Sequence, residues 1–126
     1  MEEIINQFLK KYPGYAERET AWGACYQASV RLRRFLRAAG IKAHLLHCQN
    51  FRLKDLRRVH PATVRLCPDT ELWNHFVVCA MLPKDVKVLD PTAKQFDRKY
   101  PAVRVMNLCE LQDEWLYYRQ YPGAGR

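Results

Sequence analysis

The chain has 126 residues, 48% of them hydrophobic, which is one domain's length and too much apolar material for a disordered polymer. No apolar run approaches the roughly 20 residues that span a bilayer, and the opening Met1-Glu2-Glu3-Ile4-Ile5 is acidic and amphipathic, unlike a signal peptide. A net charge of +8, from 21 Lys and Arg against 13 Asp and Glu, suits an acidic partner such as nucleic acid, or simply a soluble basic surface.

Residues 2–11 place Ile4, Ile5, Phe8 and Leu9 at the spacing of a helix with one buried stripe, stopped by Pro13-Gly14. A polar loop, 15–21, leads to Cys25. Residues 24–39 read as a strong helix with Gly40 at its C-terminal cap. On its wheel Cys25, Ser29, Leu32, Leu36 and Ala39 share one face, flanked by Ala28 and Phe35. Arg33, Arg34 and Arg37 fall on the other side, with Arg31 at its edge. The densest charge on the chain is therefore expected on a solvated helix back, which weakens the nucleic-acid reading.

A strand is expected over 41–51, a charged excursion over 52–58, a second strand over 62–67 and a turn at Pro68-Asp69. Residues 74–80 are apolar on both faces, as in a central strand, and 85–90 alternate, as in its neighbour. A last strand over 103–108 and a closing helix over 110–119 precede a glycine-containing tail from Tyr121. These divide one domain into an N-terminal helix and loop (1–20), a core (21–95) and a closing strand, helix and tail (96–126).

Five cysteines, at 25, 48, 67, 79 and 109, cannot all pair within one chain, and none forms Cys-x-x-Cys, which favours a reducing compartment such as the cytosol. Zinc is disfavoured: in a strand His44 and Cys48 would face opposite to His47. No metal or cofactor is expected, and there is no Gly-rich phosphate loop. Ser29 has no triad-like setting, and His44, His47 and His60 do not begin so apolar a strand as His75 does.

Cys25, His75 and Asp90, in that order, are the parts of a thiol nucleophile, its base and the group that orients the base. A hairpin with His75 opposite Asp90 also sets Val77 against Val88 and Cys79 against Val86, with 81–84 as its loop. Cys25, near a helix N-terminus, would have its thiolate stabilised by the helix dipole and by an imidazolium at hydrogen-bond distance. Asp90 would fix the tautomer of His75. The Cys25 backbone N–H is the natural first oxyanion donor.

These residues carry a resemblance. Gly23-Ala24-Cys25-Tyr26 resembles the Gly-Ser/Ala-Cys-Trp/Tyr run around the papain nucleophile. The cysteine helix ending in Gly40-Ile41-Lys42-Ala43, with His75 and Val88-Leu89-Asp90-Pro91-Thr92, resembles the transglutaminase-like pattern. The spacings of 50 residues from cysteine to histidine and 15 from histidine to aspartate also suit it. The compact size and the ending Asp90-Pro91-Thr92-Ala93-Lys94-Gln95-Phe96 most resemble the papain-fold domains of bacterial polymorphic toxins.

The resemblance implies an α+β papain/transglutaminase-like fold, a nucleophile helix packed on an antiparallel β-sheet. It implies thiol-dependent acyl transfer on a protein carboxamide, most readily glutamine deamidation, with peptidase or transglutaminase activity as alternatives. Catalytic Cys25, His75 and Asp90 act on a protein substrate, with delivery as part of a larger secreted protein and a cognate immunity protein as partner. Nucleic acid and membrane are not expected partners, although a basic nucleic-acid-binding module without catalysis is the rival reading. One departure stands out: the position of the oxyanion-donating glutamine, six residues before the cysteine, holds Glu19. Trp22 or Asn74 is then expected to supply the second donor.

Overall fold

The computed structural model describes residues 1–122; the last four residues of the glycine-containing tail lie outside them. The chain forms helix α1 (Glu2–Lys11), a short α2 (Arg18–Ala21) and the long α3 (Cys25–Ala38), followed by strand β1 (Lys42–Phe51). Helix α4 (Pro61–Leu66) precedes strands β2 (Asn74–Met81), β3 (Val86–Asp90) and β4 (Arg104–Met106), and α5 (Leu108–Glu114) leads into β5 (Trp115–Gln120). The result is an α+β domain with one five-stranded antiparallel sheet, in the order β4-β3-β2-β1-β5. β2 lies at its centre, as its apolar sequence requires. Among the described residues no helix is long and apolar enough to cross a membrane.

The sheet is covered on both faces. Leu32 and Leu36 of α3, with Phe8 of α1, pack against Leu45, Val78 and Leu89 on one face. Val77, Cys79 and Val88 point the other way, into a second core with Phe51, Phe96 and Trp115. This alternation is the period of two along each strand. Gly40 ends α3 at φ +82°, a conformation that L side chains rarely adopt.

Four features differ from the sequence-based expectation. Residues 62–67 are not a strand. Pro61 begins a helix, where its fixed φ suits the first position, and His60 Nδ1 caps it by accepting the Ala62 N–H at 3.1 Å. The closing helix stops at Glu114, and 115–120 pair with β1 as a strand instead. Trp-Leu-Tyr-Tyr is strand-forming, and burying Trp115 against Phe51, with ring centroids 4.9 Å apart, favours the sheet. The expected strand over 103–108 is shortened because Asn107 and Glu110 form a reciprocal capping box that starts α5. Arg33, placed on the solvated back of α3, is buried, while Arg34 and Arg37 are exposed.

The β2–β3 register also differs. Val78 faces Leu89, Cys79 faces Val88 and Met81 faces Val86, a slip of two residues from the expected pairing of Val77 with Val88. His75 and Asp90 are therefore not directly opposite. A slip of two keeps every side chain on its own face, whereas a slip of one would have reversed them all.

Candidate active site

Cys25 is the first residue of α3, after Gly23 at φ +73° and Ala24, which offers no side-chain cap. The residue is partly exposed. His75 is the second residue of β2 and is almost completely buried, and Asp90 ends β3. His75 and Asp90 share the face of the second core, away from the body of α3. Cys25 and Ser29, in the first two turns of α3, reach this end of β2. The backbone of Phe76 lies beyond the last β2–β3 pair, and α3 engages it there. The Ser29 hydroxyl donates to the Phe76 carbonyl at 3.1 Å, and the Phe76 backbone also interacts with the Cys25 thiol.

His75 Nε2 lies 2.8 Å from Asp90 Oδ2. Asp90 Oδ1 accepts from the Thr92 backbone N–H at 3.0 Å and from the Thr92 hydroxyl at 3.4 Å. Gln95 Nε2 donates to the Thr92 hydroxyl at 2.9 Å, extending a buried chain from His75 through Asp90 and Thr92 to Gln95. The imidazole is packed by Trp115, nearly parallel at 5.6 Å, and by the edge-on ring of Phe96 at 4.6 Å. Ring packing and the Asp90 hydrogen bond together leave the histidine little freedom. Its other nitrogen, Nδ1, is buried without a hydrogen bond of ordinary geometry. With Nε2 held by Asp90, Nδ1 is left for the Cys25 thiol.

The electrostatics match this arrangement. Burial raises the Cys25 pKa, but hydrogen bonding and charge from His75, with the Phe76 backbone, outweigh it and bring it below its ordinary 9.0. Burial likewise lowers that of His75, but the Asp90 carboxylate and the Cys25 thiol more than reverse this, raising it to about 10. Each group thus favours the charged form of the other, a thiolate beside an imidazolium. Cys48, paired with His75 across β1 and β2, has the opposite character: burial first, then Asp90 and Cys25, hold it as an unreactive thiol.

A cavity of about 240 Å³ borders the site through Gln95 and through Phe96, whose ring packs on His75, and is lined also by Trp22, Leu66, Leu72 and Trp73. Leu66 and Leu72 are largely exposed at its rim. Trp22 stacks on His60 at 5.5 Å, and its indole N–H has no hydrogen-bond partner among the described residues. Asn74 also lines the cavity, but its side chain turns toward β1. Its Oδ1 pairs with His47 Nε2 at 2.9 Å and its Nδ2 donates to the Leu72 carbonyl at 3.1 Å. The donor foreseen for an oxyanion is thus already engaged, because Asn74 alternates to the face opposite His75. Glu19 is exposed on α2, and its charge acts on His60.

Phe96 and Trp115, which pack on the histidine, and Thr92 and Gln95, which back Asp90, were not singled out from the sequence as site residues. The Asp-Pro-Thr run was a usable signal for Thr92, since an aspartate two residues before a backbone N–H commonly forms a local turn. Nothing local marks Trp115. His47 is drawn to Asn74 while Cys48 is buried on the other face, and no group of three or more potential metal ligands is assembled among the described residues. Compared with protein-family models, curated proteins and solved structures, the chain has no match.

Proposed function

We propose that the protein is a cysteine-dependent acyl-transfer enzyme of papain/transglutaminase-like type, acting on a protein carboxamide, with glutamine deamidation its favoured reaction. The observation that carries this reading is the buried His75–Asp90 pair, joined at 2.8 Å, beside a partly exposed Cys25 whose pKa is lowered by that imidazole. The Cys25 thiolate attacks the amide carbonyl carbon. The C–N bond then breaks, and the His75 imidazolium gives its proton to the departing ammonia, leaving a thioester. His75, now neutral, takes a proton from water as the hydroxide attacks; the C–S bond breaks, the carboxylic acid leaves, and the thiolate–imidazolium pair is restored.

Asp90 orients the ring throughout and supports its charge. The uncapped N–H groups at the start of α3 and the indole N–H of Trp22 are the available oxyanion donors. The cavity beside Phe96 has room for one substrate side chain. An amine in place of water would give crosslinking by the same thioester. The assignment to a delivered effector with an immunity protein rests on the resemblance alone.

Mass spectrometry after exposure to a glutamine-mimicking electrophile tests the reading. Modification is expected at Cys25, and Cys25→Ala is expected to abolish conversion of glutamine to glutamate in a substrate protein while leaving the fold intact. Labelling elsewhere with Cys25 untouched would overturn it.

A further inference from the structure

A larger concavity, of about 690 Å³, shares a wall with the candidate catalytic cavity. The same two chain segments build both. One runs from Arg58 and Val59 of the groove to α4 of the cavity; the other runs from Gln95 and Phe96 of the cavity to Arg98 and Lys99 of the groove. The segments are pinned together by His60 N–H to Gln95 C=O at 2.7 Å and Arg98 N–H to Arg58 C=O at 3.3 Å. Phe96 lines both concavities, and the edge of its ring rests on His75.

The groove is strongly basic. Lys54, Arg57, Arg58, Arg98 and Lys99 line it against two carboxylates. Both carboxylates are already engaged, Asp55 with Arg57 at 2.8 Å and Asp97 with Arg58 at 3.2 Å. Lys54, Arg98 and Lys99 have no carboxylate at ion-pair distance among the described residues. Grooves that bind single-stranded nucleic acid add exposed aromatic faces for base stacking. Here Phe51 and Phe96 are buried, the Tyr100 ring is covered by the Arg104 guanidinium at 4.2 Å, and its hydroxyl donates to Glu114. Point charges without stacking surfaces suit carboxylates better than bases.

We propose that this groove binds an acidic segment of the protein substrate, its Asp and Glu side chains meeting Lys54, Arg98 and Lys99 while the target amide occupies the neighbouring cavity. The identity of the ligand as substrate rests on the acyl-transfer reading; binding in the groove is measurable without it.

The test uses the triple variant Lys54→Glu/Arg98→Glu/Lys99→Glu, which touches none of the catalytic groups. Two fluorescent peptides carry a central glutamine with either acidic or uncharged flanks, and their binding to Cys25→Ala protein is followed by anisotropy. The same peptides bearing an electrophile in place of the amide, and free chloroacetamide, are used to label Cys25 in the otherwise native chain. The acidic peptide is expected to bind about tenfold more tightly than the uncharged one at low salt, an advantage that salt and the triple variant both remove. Its electrophile is expected to label Cys25 about tenfold faster, with the chloroacetamide rate unchanged in the variant. Equal affinity of the two peptides, binding unaffected by the variant, or displacement of the peptide by an RNA oligonucleotide of equal charge overturns the proposal. If no electrophile labels Cys25, the catalytic reading fails, and the anisotropy result alone decides the groove.

Discussion

Asp90 reaches His75 on a diagonal. Leu89 faces Val78 across β2 and β3, so Asp90 falls beside Val77, two positions from His75, yet its Oδ2 lies 2.8 Å from the ring Nε2. Diagonal neighbours of this kind are within reach of long side chains. The Thr92 N–H and hydroxyl hold the other carboxylate oxygen, so the aspartate is fixed from both ends.

Removing that charge has a defined consequence. Asp90→Asn keeps the shape but can no longer support an imidazolium, and catalysis should fall by on the order of 10³–10⁴. The pH profile of Cys25 alkylation should move upward toward the ordinary thiol value of 9.0, because the loss of the imidazolium outweighs relief of the weaker repulsion by Asp90 itself. An unchanged alkylation profile would show that Asp90 does not act through His75.

Thr92 and Gln95 support the aspartate from behind. Thr92→Val removes the acceptor of the buried Gln95 amide and one donor to Asp90, and should cost about 1–3 kcal/mol in urea denaturation. Gln95→Leu removes the other member of that contact. The double variant should be less destabilised than the sum of the singles; strict additivity would dissolve the link.

The two shifted groups oppose one another in the pH dependence of stability. His75, raised from 6.5 to about 10, contributes stability that is full below pH 6.5 and lost as the pH rises through 10. Cys25, lowered from 9.0, contributes stability that is full above pH 9.0 and lost as the pH falls through its folded value. Between them the slopes offset. Cys25→Ser removes the opposing thiol slope while Asp90 still raises the His75 pKa, so the variant's stability should decline as the pH rises above 6.5, the decline ending at a lower pH than in the native chain because the Cys25 contribution is gone. Equilibrium denaturation across that range is the measurement, and parallel curves for the two proteins would contradict the ion pair.

The glycines at 23 and 40 separate strain from catalysis. Both have positive φ, and an added Cβ would meet nothing within 4 Å at either. Alanine at each should therefore cost about 1–2 kcal/mol, through backbone conformation alone. Only Gly23→Ala should also slow Cys25 labelling, because Gly23 sets the entry into the first turn of α3. Equal labelling rates in both variants would place the nucleophile's geometry elsewhere.

Much of the site was legible because it rests on local chemistry and period. The helix that begins at Cys25, the apolar run of β2 and the alternation of β3 were each visible as short-range patterns. The helix Pro61–Leu66 was hidden because Thr63 and Val64 favour strand, while the decisive groups, Pro61 at its first position and the His60 cap, lie just before them. Residues 115–119 read as a continuation of the closing helix, and only pairing with β1 turns them into a strand. That single change brings Trp115 onto His75, so the packing of the candidate base depends on contacts 40 residues apart in the chain.

What the sequence by itself determined was the face on which each strand residue lies. Alternation in β2 and β3 puts His75, Val77 and Cys79 with Val88 and Asp90, and a slip of two residues leaves that assignment intact. What only the tertiary structure decided was the register, the diagonal reach of Asp90 and the arrival of α3 beside Phe76. These follow from how two cores fill on opposite faces of one sheet, and that filling is a property of the assembled side chains rather than of any segment.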